Sequence, residues 1–306
     1  MLNVVFLREN SLFHTWFNIH SAVEIVFINN LITSVLKLVV LLPYLVDFRF
    51  DIDLKIVKRL MVFSLPLLIA QVPGILNETL DRILFRYILR DSAMETLGLY
   101  SANLRIAMML MLVIQMFRYA AEPFFLSYYK NEDAHTVYIK ILNYFTGVLV
   151  VMAIVILGNL GWIKLFIGKE FHSALFVVPW LIFGNIVYGI YYNVSVWYKI
   201  TDLTKFAILL TSIGVIVNAS INVLWLAKYG IMVSALAKLM SYFCMLLVSV
   251  LLANKHYKIE YQWRKIIFGL MLVILTYFIT LFVHNLWVLN MFVPIFDSVG
   301  LPTVWL

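Results

Sequence analysis

Asn77, Glu78, Asp81, Arg82 and Arg86 lie within ten positions of an otherwise apolar stretch, behind Pro66, Gln71, Pro73 and Gly74. Carboxylates and guanidinium groups this close can neutralise one another, hold an anion or take up a cation. Glu78 and Arg82 are four apart and face the same way on a helix, the spacing at which side chains pair. The prolines and the glycine weaken the backbone ladder just before the charges and permit a bend. Two readings follow: a bent, charged helix lining a central cavity, or an internally neutralised pair near a membrane interface.

Further polar positions follow in the next apolar stretches. Asn103 and Arg105 precede Gln115, Arg118, Glu122 and Pro123. Arg118 and Glu122 form a second pair four apart. Arg105 has no acid within one helical turn, so its expected partner is Glu78, Asp81 or a ligand. Lys238 is an isolated cation among the small residues Ser234, Ala235, Ala237 and Ser241, which suit close helix packing. It either faces a cavity or snorkels to headgroups, as Lys37 near a span end is expected to do. Asn185, Tyr188, Tyr191, Tyr192, Asn193, Trp197 and Tyr198 combine rings and amides that could line a sugar path, although Trp197 and Tyr198 equally suit an interfacial belt. Asn218 and Asn222, four apart, bridge helices or line a polar route.

The elements that must position these groups are membrane helices. Of 306 residues, 64% are hydrophobic and 13% charged, against roughly 45–50% and about 25% in a soluble domain. The apolar residues fall in blocks of roughly 20, the length at which a helix crosses the hydrocarbon core. Strands of a barrel would be shorter and would alternate in polarity. Eight spans are expected: Ser21–Val46, Leu60–Leu89, Leu97–Tyr119, Ile141–Asn159, Ala174–Trp197, Phe206–Ala227, Ile231–Ala253 and Ile266–Trp287. Ala121–Tyr129 should continue the third span out of the bilayer. An ionised group at mid-bilayer costs about 2.5–3.5 kcal/mol, so each one needs a partner or a purpose.

Charge distribution sets the orientation. The net charge is +7, with 23 Lys and Arg concentrated in short loops, which fits topology determinants and contact with membrane lipids better than nucleic acid. Arg49, Lys55, Lys58 and Arg59 lie on the same side as Lys255, Lys258, Arg264 and Lys265. That side is expected to be cytoplasmic, which puts both termini in the periplasm. The single cysteine, Cys244, excludes an internal disulfide. No histidine pair with metal spacing, phosphate-cradling glycine loop or nucleophile elbow is present, so catalytic residues, metal ligands and an organic cofactor are not expected. The loops are too short to house a soluble enzyme.

Four stretches carry a resemblance. They are SLPLLIAQVPGILNETLDRIL (Ser64–Leu84), LGLYSANLRIAMMLMLVIQMFRYAAEPFF (Leu97–Phe125), GKEFHSALFVVPWLIFGNIVYGIYYNVSVWYKITDLT (Gly168–Thr204) and KYGIMVSALAKLMSYF (Lys228–Phe243). Over about residues 20 to 285 the chain resembles the C-terminal part of bacterial polysaccharide (O-antigen) flippases. These belong to the multidrug/oligosaccharidyl-lipid/polysaccharide exporter superfamily. The resemblance implies an all-α, polytopic membrane bundle of about eight helices, one lobe plus a preceding helix of a MATE-like two-lobe transporter in a bacterial inner membrane. Segments 1–20 (an atypical N-terminal stretch), 21–46 (the last helix of a first lobe), 47–59 (a basic cytoplasmic linker), 60–287 (the C-terminal lobe) and 288–306 (a ninth span or a tail) are expected. The implied cargo is an undecaprenyl-diphosphate-linked oligosaccharide flipped by alternating access. By the same resemblance Arg82, Arg105, Arg118 and Lys238 are candidate diphosphate contacts. Glu78, Asp81 and Glu122 are candidate acids for gating or for coupling to H+ or Na+, and Asn77, Asn103 and Asn193 are candidate polar lining. The length departs from the pattern, so a missing N-terminal lobe or polysaccharide-assembly proteins are expected partners. A drug or metabolite antiporter and a membrane-embedded glycan polymerase or glycosyltransferase are the competing expectations.

Overall fold

A computed structural model describes residues 22–45, 53–201 and 203–285. Arg49 of the basic linker, the segment 1–20 and the tail 288–306 lie outside them. Among the described residues there are α-helices and short 3-10 turns and no strand. The α-helices are α1 (Ala22–Leu45), α2 (Leu54–Ile88), α3 (Ala93–Tyr128), α4 (Ala134–Gly158), α5 (Leu160–Ile163), α6 (Val178–Val194), α7 (Val196–Ile200), α8 (Lys205–Tyr229), α9 (Ile231–His256) and α10 (Trp263–Asn285). Six helical stretches of the described residues are long and apolar enough to cross a membrane, beginning at Arg90, Ala134, Lys169, Lys205, Ile231 and Trp263. Together they make an all-α, multi-pass membrane bundle.

The chain divides into two compact units, Met1–Phe63 and Ser64–Leu306. In the first, α1 exposes Val35, Leu36 and the run Leu38–Leu42, and the Ser34 hydroxyl returns to the Asn30 carbonyl at 2.8 Å. Asp53 opens α2: its Oδ1 accepts the Lys55 N–H at 2.8 Å, occupying one of the donors a helix start leaves free.

In the second unit α6 is the centre. Two thirds of the most apolar window of its span (67%) is buried, against 11% for α10. It packs against α3, α4 and α9, while α8 packs on α9 and α10 on α4. Small residues permit the closest approaches: a Cβ on Gly189 would meet Leu149 Cδ1 at 2.6 Å, and one on Gly214 would meet Met245 Sδ at 2.5 Å. Gly230 turns α8 into α9 at φ +66°, where its N–H bonds the Leu226 carbonyl at 2.9 Å, a helix end that suits glycine. The expected extension beyond the third span is a direct continuation of α3, 36 residues long and uninterrupted despite Pro123. The expected fifth span is broken: a 3-10 stretch, Lys169–Val177, leads into α6, and Ser195 separates α6 from α7.

The part of α2 from Ser64 onward stands apart from this packing. It has only sparse close backbone approaches to other helices. Polar side chains hold it, together with Phe85, which is fully buried against the Tyr100 ring.

Candidate functional site

The polar side chains of α2 meet those of α3, α8 and α9 in a cluster that is buried except at Glu78, whose side chain is 40% exposed. Asp81 is 1% exposed and Lys238 4%, so neither reaches water at the surface. The Lys238 ammonium lies 3.3 Å from Glu78 Oε2 and 3.7 Å from Asp81 Oδ2, and it also approaches the Glu78 carbonyl at 3.4 Å. Tyr100 of α3 donates to Asp81 Oδ2 at 3.0 Å, and Tyr242 of α9 donates to Glu78 Oε1. Two carboxylates thus face one ammonium and two phenols. A lone buried charge is so costly that such a cluster persists only when each member has partners.

An amide relay extends from it. Ser234 donates to Asn222 Oδ1 at 2.6 Å, Asn222 to Asn218 Oδ1 at 2.7 Å, and Asn218 to Asn77 Oδ1 at 3.2 Å. Ser241 reaches the same Asn77 oxygen at 3.0 Å. Spacing explains how the sequence builds this. Asn218 and Asn222 share one face of α8, and Ser234, Lys238, Ser241 and Tyr242 share one face of α9. Packing α8 on α9 over the turn at Gly230 brings these faces together.

A second cluster lies at the other end of α3. Glu122 accepts from the Lys199 ammonium at 2.7 Å and from the Tyr192 hydroxyl at 2.7 Å, and Arg118 Nε lies 4.0 Å away. Both cations also sit over the Tyr192 ring, Arg118 at 5.6 Å and Lys199 at 5.0 Å from its centroid, a cation–π arrangement. Tyr100 and Glu122 are 22 residues apart on one helix, roughly 33 Å at about 1.5 Å per residue. The clusters therefore stand about a membrane thickness apart along α3.

Several sequence expectations change. Glu78 does not pair with Arg82: its partners are Lys238 and Tyr242, and Arg82 is exposed with no ion pair among the described residues. The helix turns Arg82 away because Asn77, Asp81 and Phe85 form the inward face of α2. Nor does Arg105 meet Glu78 or Asp81. Tyr100, Asn103, Leu104, Ala107, Leu110 and Ile114 face the core, which leaves Arg105 on an exposed stripe with Met108, Met109, Leu112 and Met116. Lys238 points inward and does not snorkel. Arg118 keeps the expected Glu122 contact.

Of the polar-lining candidates, Asn77 is the junction of the relay. Asn103 is fully buried and donates to the Leu99 and Phe171 carbonyls at 2.9 and 3.0 Å. It ties the 3-10 stretch to α3. Asn193 is 5% exposed, donates to the Gly189 carbonyl at 3.2 Å and borders an enclosed space beside Trp197 and Tyr261 with room for about one water. Its Oδ1 has no hydrogen-bond partner among the described residues. Sequence reasoning does not single out Tyr100, Lys199 or Tyr242, and it places Tyr192 on a sugar path instead of beside Glu122. No local spacing signals Lys199, because Ser195 separates its helix from that of Tyr192.

Residues 10–129 match the family model described as polysaccharide biosynthesis protein, less than half of the chain. No curated protein matches, and no solved structure matches. The matched stretch contains α1, α2 and α3, hence Glu78, Asp81, Arg82, Tyr100, Arg105, Arg118 and Glu122. Lys199, Lys238 and Tyr242 lie beyond it. This is a multi-pass membrane bundle, similar over that stretch to proteins of polysaccharide biosynthesis.

Proposed function

We propose that the protein moves an undecaprenyl-diphosphate-linked oligosaccharide across a bacterial inner membrane by alternating access, as part of polysaccharide export. The exposed arginine Arg105 of α3 carries this reading. It lies twelve residues after Ala93, about 18 Å along the helix and within its apolar span, on a stripe of methionines and leucine. A guanidinium at that depth with no ion pair among the described residues calls for an anion, and a diphosphate on an apolar tail supplies both chemistries. Arg82, also exposed, adds a second contact from α2. The match over residues 10–129 supports the same class.

In this reading Glu78, Asp81 and Lys238 act as the coupling element. A proton or sodium ion taken up by the carboxylates competes with the Lys238 ammonium and loosens α2, which few backbone contacts restrain. Glu122, with Arg118 and Lys199, closes the opposite end. A second lobe, or assembly proteins of the same export route, completes the cavity. Exposed arginines disfavour a cationic drug as cargo.

The experiment is export of the glycan in cells lacking the native protein, complemented by the chain or by its Arg105→Ala form. Export is expected to fall at least tenfold in the variant, about the value of one charge-assisted contact. Full complementation by Arg105→Ala at equal membrane abundance sinks the role of Arg105.

A further inference from the structure

A different face of the bundle carries features of a lipid site. The outward stripe of α4 reads Lys140, Asn143, Tyr144, Gly147, Val148 and Val151, spacings of three and four that place them on one side of the helix. Between Asn143 and Met152 this stripe forms a shallow, wide-open and largely apolar groove lined by residues of α4 alone. Gly147 lies at its centre, and a Cβ there would meet no heavy atom within 4 Å.

The end of the groove is basic. Asn143 donates to Gln262 Oε1 at 3.1 Å, which pins the loop before α10 to α4. Lys140 lies one turn before Asn143, and Arg264 and Lys265 lie two and three residues after Gln262. All three are exposed, with no ion pair among the described residues. The nearest loop acid, Glu260, is paired with Lys258 at 2.9 Å.

We infer that this face binds an anionic phospholipid, with its phosphate at Lys140, Arg264 and Lys265 and one acyl chain laid along the α4 face at Gly147. Cations gathered where two helices meet the cytoplasmic interface are suited to lipid headgroups. A partner helix fits less well. Close helix docking needs small residues on successive turns, and here Gly147 is followed on its stripe by Val148 and Val151. An apolar helix face beside a group of exposed cations matches the two ends of an amphiphile.

The test uses the full chain purified in a neutral detergent. Retained lipid is read by native mass spectrometry as phosphatidylglycerol or, separately, phosphatidylcholine is titrated. One variant replaces Lys140, Arg264 and Lys265 by Gln, a second is Gly147→Leu, and a control replaces Lys130 and Lys205 by Gln. Phosphatidylglycerol is expected to bind in preference to phosphatidylcholine. Its affinity should fall on the order of a hundredfold in the triple variant and about tenfold in Gly147→Leu, the value of two methylenes losing contact. The control should bind as the parent does. All replaced side chains are exposed, so folding is expected to survive, and a thermal unfolding scan checks it. Equal retention of both lipids overturns the inference, as does loss in the control to match the triple variant. Unchanged lipid binding in Gly147→Leu together with a loss of dimer assigns the groove to a helix and overturns it as well.

Discussion

The two ends of α3 solve one electrostatic problem in opposite ways. At the Tyr100 end, Asp81 and Lys238 lie in the packed interior while Glu78, its side chain 40% exposed, shares the lysine from the edge, leaving a formal excess of one negative charge. At the Glu122 end, two cations share one acid, leaving one positive charge. There the side chains of Arg118, Lys199 and Glu122 are 35%, 22% and 34% exposed. In the first, Asp81 and Lys238 must be satisfied internally, and the cluster recruits two phenols and a chain of amides. The second keeps partial access to solvent or headgroups and needs a single tyrosine. Burial, more than charge count, therefore sets the size of the network around each. The buried end is also where α2 joins the bundle, so its bonds bear on conformation.

Lys238→Ala should break this contrast most severely. It leaves Asp81, and in part Glu78, without a countercharge, and removing one member of a buried pair costs about 3–5 kcal/mol. A marked fall in the thermal unfolding midpoint of the detergent-solubilised protein is expected. Adding Asp81→Asn to that variant should recover part of the loss. An unchanged midpoint would show that the cluster is not buried in the folded protein.

Asn218→Leu should have the next largest effect. It removes the middle of the relay, taking one bond each from Asn77 Oδ1, which keeps Ser241, and from Asn222 Nδ2, which keeps the Asn218 backbone carbonyl, at about 0.5–1.5 kcal/mol per hydrogen bond lost. Denaturant unfolding would register this, and an equal effect from Asn159→Leu, an exposed α4-terminal residue, would contradict the burial argument. Lys199→Gln, in the more open cluster, should cost only about 0–1 kcal/mol, because partly exposed pairs are screened. A double-mutant cycle with Glu122→Gln measures the coupling directly. A coupling as large as that between Lys238 and Asp81 would erase the distinction between the two ends. Arg105→Ala should change stability by less than about 0.5 kcal/mol, since an exposed side chain is being truncated. Its proposed loss of export would then be a loss of function without a loss of fold.

Much of the architecture was legible because membrane helices are announced by length and apolarity alone. The six spans from α3 to α10 follow from runs such as Ile141–Asn159, where little besides apolar side chains occurs. The break at Ser195 and the 3-10 approach through Lys169–Val177 were not legible. They depend on how the segment folds back onto α3, where Asn103 holds the Phe171 carbonyl. Within the site, Arg118 with Glu122 was readable from a four-residue spacing. The same rule misassigned Glu78 to Arg82, because local spacing competes with whatever another helix offers, and α9 offered Lys238 and Tyr242. Arg105 shows the complementary lesson. Period alone separates its face from that of Tyr100 and Asn103, so its outward position was available from the buried stripe of its own helix.

From the sequence came a membrane chain of many helices, the orientation expected from its basic loops, and an inventory of the charges that could not rest in lipid unattended. Those properties depend on composition and on period, which each segment carries by itself. Tertiary structure decided which acid meets which base: Lys238 lies 160 residues from Glu78 and 157 from Asp81. It joins them because α9 packs beside α8 and presents its lysine face to α2. A partner at that separation is a property of helix packing, and no local spacing encodes it.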